Sequence, residues 1–141
     1  MPYSTLEDIL ALLPEQTVIN LTDDSGAGVV GRDKVAAAIA DADAEIDGYC
    51  AARYTAPFDP VPAVIRKCSA DLAVYNLYSR YAESVPETRK DRYKNCLKLL
   101  ENISRGVVTV GETASPPTLS TGAGKASAPD RIFSPEKMET Y

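Results

Sequence analysis

At 141 residues and 15.1 kDa, the chain suits one compact domain with a modest core. Its 15 basic and 20 acidic residues give a net charge of −5, and no Lys/Arg cluster supplies the phosphate neutralisation that tight nucleic-acid binding requires. With no histidine, the commonest general base and metal ligand is missing.

The first element opens at Tyr3-Ser4-Thr5-Leu6-Glu7, which reads as a capping box with Ser4 at N-cap and Glu7 at N3. Leu6, Ile9, Leu10 and Leu13 follow at helical spacing, and Pro14 ends a short helix. Thr17 to Leu21 predicts a brief extended segment, and Thr22 to Gly28 is a loop by composition. The whole stretch 14–31 is therefore expected as an extended loop, of a length more often used for contact than for connection.

The second helix is predicted from about Arg32 to Tyr54, with Asp33 at N-cap. Val35, Ile39, Ala42, Ile46, Tyr49 and Cys50 make its buried stripe. Asp41 and Glu45 fall on the wet face, and Asp43 and Asp47 flank the stripe. Alternate residues on a helix diverge, so these carboxylates do not converge as a divalent ion needs, and no metal site is expected. Arg53 projects from the apolar stripe. One reading is a partly buried arginine at a helix end, paired with a carboxylate and favoured by the dipole; the other is a contact residue.

Three prolines stiffen the connector from Pro57 to Pro62, and Pro62 suits the first position of a third helix reaching about Tyr81. Ile65, Cys68, Leu72 and Tyr75 share one face while Val74, Leu77 and Tyr78 lie on others. A helix so apolar around its circumference is central in its domain or covered by a partner. The fourth helix is predicted over Glu87 to Ser104. Tyr93, Leu97, Leu100 and Ile103 face inward, Arg89, Lys90, Lys94 and Lys98 outward, and Gly106 is the stop. Val107 to Val110 has strand character and no evident partner within the chain.

Gly111 to Pro129 is rich in Ser, Thr, Gly, Ala and Pro and cannot supply a core. Apolar anchors then return. Ser134-Pro135 can start a helical turn, with Phe133 stapled to Met138 and Tyr141 three residues further on the same side. This ending reads either as a disordered tail or as a docking peptide on a tether that spans roughly 25 Å. Cys50, Cys68 and Cys96 form no CxxC pattern and sit among apolar helix residues, which predicts buried, reduced thiols. No signal-like or membrane-length apolar run is seen, so a soluble protein made in the cytoplasm is expected.

These readings add up to an all-α fold: a small bundle of about four helices with long central helices and a flexible C-terminal arm. The expected organisation is a helical domain over 1–106, a linker over 107–129 and a docking peptide over 130–141. No reaction, cofactor or membrane contact is expected.

The run Ala38-Ile39-Ala40-Asp41-Ala42-Asp43-Ala44-Glu45-Ile46-Asp47-Gly48-Tyr49, then Ala52-Arg53-Tyr54 and Val61-Pro62, resembles a protein family of Mu-like phages and prophages. Tyr3 to Asp8, Arg92-Tyr93, Leu99-Leu100-Glu101, Gly106 and the ending Arg131-Ile132-Phe133-Ser134 look like the same family; the long Ser/Gly/Ala linker departs from it. That family is similar in size, helical make-up and gene context to the head-completion or neck adaptors of long-tailed phages. The resemblance implies a helical subunit that forms a homo-oligomeric ring of about a dozen copies beneath the portal. DNA would pass through it without specific binding, and the ring would sit in the virion neck after assembly in the host cytoplasm. Its expected partners are itself, the portal protein and the next neck or tail-terminator protein. Asp41, Asp43, Asp47, Arg53 and Tyr54 are then candidates for subunit packing, and Ile132, Phe133, Met138 and Tyr141 for partner docking. The alternative is a small phage regulatory module that captures a host or phage protein through the same arm.

Overall fold

The computed structural model describes residues 1–80 and 84–110, and among these it contains five helices and no strand. The helices are α1 (Leu6–Leu12), α2 (Glu15–Thr22), α3 (Arg32–Cys50), α4 (Ala63–Ser79) and α5 (Glu87–Ser104). The all-α bundle is as the sequence indicates, with one helix more than expected.

That extra helix is α2, where a brief extended segment was predicted. Thr17, Val18, Ile19 and Thr22 are β-branched and lean towards strand. Val18, Leu21 and Thr22, however, recur at the helical interval and are all buried, and tertiary burial outweighs a weak local preference. Pro14 stops α1 and is at once the N-cap of α2. The loop accordingly shortens to residues 23–31. The Asp23 carboxylate gathers it by accepting the amides of Ala27 at 3.0 Å and Gly28 at 2.6 Å. The Gly28 amide, first among its donors, holds Asp23 below the usual carboxylate range.

The capping box of α1 sits one residue later than predicted. Thr5 is the N-cap and Asp8 the N3 residue, because Ser4 is buried and bonds its hydroxyl to that of Ser69 at 2.7 Å. Likewise Gly31, not Asp33, is the N-cap of α3, and its amide donates to the Thr22 hydroxyl at 2.9 Å.

The three long helices α3, α4 and α5 pack against one another, and α4 touches all four of the others. Its buried set covers nine positions, from Ile65 to Leu77, including the polar Ser69 and Asp71. This resolves the two readings of the third predicted helix: it is central. The α4/α5 seam also holds Tyr75 stacked on Tyr93, ring centroids 3.9 Å apart. Helix α5 has the predicted bounds, and Gly106 stops it at φ +81°. The Gly106 amide donates to the Ile103 carbonyl and the Val107 amide to that of Asn102, the paired bonds of a Schellman ending.

Helix α3 ends at Cys50, four residues short of the predicted Tyr54. Residues 51–54 turn instead, so Tyr54 and then Phe58 drop into the core. Val107–Val110 form no strand. Val107 is exposed, whereas Val110 is buried and donates its amide to the Tyr54 hydroxyl at 3.1 Å. Side-chain anchoring here replaces ladder pairing. Residues 111–129 of the expected linker and the docking peptide, with Ile132, Phe133, Met138 and Tyr141, lie outside the described residues.

Candidate functional site

The amino-terminal strap, residues 1–5, meets α3 where Asp43 and Asp47 stand one turn apart. The Tyr3 amide donates to Asp43 at 2.9 Å, and the Ser69 hydroxyl of α4 donates to its other oxygen at 2.6 Å. The Tyr3 hydroxyl donates to Asp47 and accepts the Phe58 amide at 3.0 Å. Burial raises the Asp43 pKa, against the lowering effect of the Ser69 and Tyr3 bonds. Burial, followed by the bond to Asp47, pushes the Tyr3 phenol well up.

Tyr3 therefore ties strap, α3 and the 55–62 connector together through both ends of its side chain. Tyr3→Phe would leave the Phe58 amide buried without its acceptor, and is expected to cost about 1–3 kcal/mol. Urea unfolding checks this, and a loss under half a kilocalorie would show the hydroxyl to be dispensable.

Beside the strap lies a groove of about 610 Å³. Leu6, Val35, Ala36, Ile39 and Ala40 give it apolar walls, the amino-terminal Met1 and Pro2 also line it, and along α3 Arg32 lies towards the amino terminus and Asp43 and Asp47 further along. Val35 and Ile39 are buried, whereas Ala36 and Ala40 are exposed. Among the described residues none of Arg32, Asp43 and Asp47 joins an ion pair. The groove thus offers an apolar trough with a cation at one end and two carboxylates at the other.

The five residues predicted for subunit packing fall in three places. Asp43 and Asp47 flank the buried stripe as expected, but their carboxylates are engaged within the chain. Asp41 is exposed and lies outside the groove. Arg53 and Tyr54 occupy the turn beyond α3. Tyr54 is buried with its ring 5.9 Å from Phe58. The carboxylate expected beside Arg53 is not found among the described ion pairs. Because α3 stops early, the guanidinium lies against Gly106 instead, and its Nε is buried without a hydrogen-bond partner.

A polar cluster that sequence reasoning missed lies under the α4/α5 seam. Asp71 is buried and accepts from Lys67 at 2.9 Å, Arg92 at 3.3 Å and the Cys96 thiol at 3.5 Å. The bond to Asp71 raises the Lys67 pKa. The only sequence signal was the i,i+4 pair Lys67/Asp71 on a helix with an unusually wide apolar face. The three cysteines are buried and free, as expected. Burial pushes the Cys50 thiol up to about 11, and the Cys96 thiol is raised by its bond with Cys68 and by burial. Both therefore stay protonated and unreactive.

Among the described residues no helix is long and apolar enough to cross a membrane. The family model described as "Bacteriophage Mu, Gp36" matches residues 3–128. The "Gene product J" protein of Escherichia phage Mu is 33% identical over 113 residues, covering 79% of this chain and 77% of that protein. The "Mu-like prophage FluMu protein gp36" of Haemophilus influenzae is 33% identical over 78 residues, 55% of this chain and 53% of that one.

Proposed function

Since the chain belongs to the phage Mu Gp36 family, we propose that it is a structural subunit of the phage neck and not an enzyme. Copies form a closed ring between portal and tail and connect the DNA-filled head to the tail. The observation that carries this reading is the family match over residues 3–128. The structure supports it with three long helices packed side by side and an apolar groove beside α3.

A net charge of −5 suits a ring that lets DNA slide past, since few cations are present to hold phosphates. The segment carrying Ile132, Phe133, Met138 and Tyr141 grips the portal or the next neck protein. Asp41 and the outer face of α3 serve contact between subunits.

Quantitative mass spectrometry of purified particles tests the proposal. A low copy number, close to that of the portal protein, is the expected result. Absence from the particle would discard the neck reading and favour a regulatory module that works in the infected cell.

A further inference from the structure

We propose that the cationic pocket between α1 and the α4/α5 seam is the receptor for the acidic ridge of α3 from a second copy of the chain, so that copies join head to tail. The contact rests on the ring reading for its role as the boundary between subunits; its chemistry stands on charges that the chain itself presents.

The pocket has a volume of about 290 Å³ and is bordered by Asp8 and Leu12 of α1, Arg66, Lys67 and Asp71 of α4, and Arg92 of α5. Lys67 at 2.9 Å and Arg92 at 3.3 Å both bond the buried Asp71 carboxylate, so two cations share one anion. Arg66 is balanced by Asp8 at 2.8 Å. Arg89 adds a further positive charge beside Leu12, whose carbonyl it bonds at 2.9 Å. Cations thus outnumber carboxylates around the pocket, on a chain whose net charge is −5. The side chains of Arg66, Lys67 and Arg92 are all exposed, so their outward N–H groups can take a further carboxylate.

The matching surface is on α3. From Val35 to Ala52 the chain holds no Lys or Arg, and Asp41 and Glu45 belong to none of the described ion pairs. Asp43 and Asp47 are engaged by Tyr3 and Ser69, which leaves the exposed Asp41 and the half-buried Glu45 for an outside contact. These two stand one turn apart, at a rise of roughly 6 Å, on a single i,i+4 ridge. Around them Ala37, Ala40, Ala44 and Gly48 are exposed. On so flat a face the two carboxylates project beyond their neighbours, and the α3 backbone can come close to the surface that receives them. Placement argues for a second copy. Helix α3 contributes no residue to the pocket, and no described ion pair joins α3 to α4 or α5. Ridge and pocket of one chain therefore do not meet, and their opposite charges are matched between copies. A contact between two different patches repeats from copy to copy, and closes into a ring where the rotation allows.

Sedimentation equilibrium of the full chain in low salt tests this. Reversible association is expected at protein concentrations up to about 1 mM, weakening as added salt screens the contact. Asp41→Arg and Arg66→Glu both change exposed positions, and each alone is expected to weaken association by about tenfold or more. An equimolar mixture of the two variants should regain it. Each altered face then meets an altered pocket of opposite sign, and each unaltered face an unaltered pocket. A monomer throughout the range would overturn the proposal, as would a mixture that associates no more tightly than its components. Weakening by Asp41→Arg without any effect of Arg66→Glu would also overturn it, because α3 faces would then be pairing with each other. Particle composition keeps the two readings apart. A portal-like copy number with association indifferent to both changes leaves the neck reading and removes this contact, whereas the full exchange pattern supports the contact even for a chain absent from particles.

Discussion

Replacing both Lys67 and Arg92 by methionine is expected to destabilise the domain by about 3–5 kcal/mol, because it strands the Asp71 carboxylate in the core. Asp71 is 3% exposed, and its remaining partner would be the weak thiol donor of Cys96 at 3.5 Å. The asymmetry of the cluster makes the experiment informative. The side chains of Lys67 and Arg92 are 65% and 44% exposed, so on losing Asp71 they can turn to water. Asp71→Leu alone should therefore cost much less than the double change, and Lys67→Met/Arg92→Met/Asp71→Leu should recover most of the stability. Urea unfolding followed by circular dichroism measures all three. A double variant within 1 kcal/mol of the parent would show that the carboxylate finds water or another donor.

The second large effect is expected at Gly106. Its φ of +81° is costly for any L side chain, and a Cβ there would sit 2.8 Å from the Arg53 Cζ. Gly106→Ala combines backbone strain with overpacking, for about 2–4 kcal/mol in total. Arg53→Ala in the same chain removes the clash but not the strain. The pair should therefore be less destabilising together than the sum of the two singles, by roughly 1 kcal/mol or more. Strict additivity in thermal or urea unfolding would mean that the guanidinium moves aside freely, and that its contact with Gly106 contributes nothing to positioning the 51–54 turn.

This contact explains how Arg53 came to be misplaced by periodicity. Helical phase carried past Cys50 put Arg53 on the buried stripe and gave it a carboxylate. The chain leaves the helix at Cys50, and the side chain then points to the end of α5, a neighbour distant in sequence. The same limit governs the strap. Tyr3 looks like the entry to a capping box, yet its hydroxyl joins Asp47 to Phe58. No local pattern encodes a contact that spans more than forty residues.

Helix α5 was legible to its bounds, because an amphipathic run and a stop glycine mark it in the chain itself. So was most of the stripe of α3, where Val35, Ile39, Ala42, Ile46 and Cys50 are buried and Tyr49 is half-buried against the core. The family was legible too, through the Ala/Asp-rich run of α3 and its sequel, and the match over residues 3–128 bears it out. The sequence by itself thus determined the helical class, the buried thiols and the kinship. Each is written in local spacing or composition. Tertiary structure alone decided that 15–22 is a helix, that Asp71 is a core residue, and that strap and α3 enclose a groove with opposite charges at its ends. These depend on which surfaces meet, and burial at such meetings is worth more than the tenths of a kilocalorie by which local propensities differ.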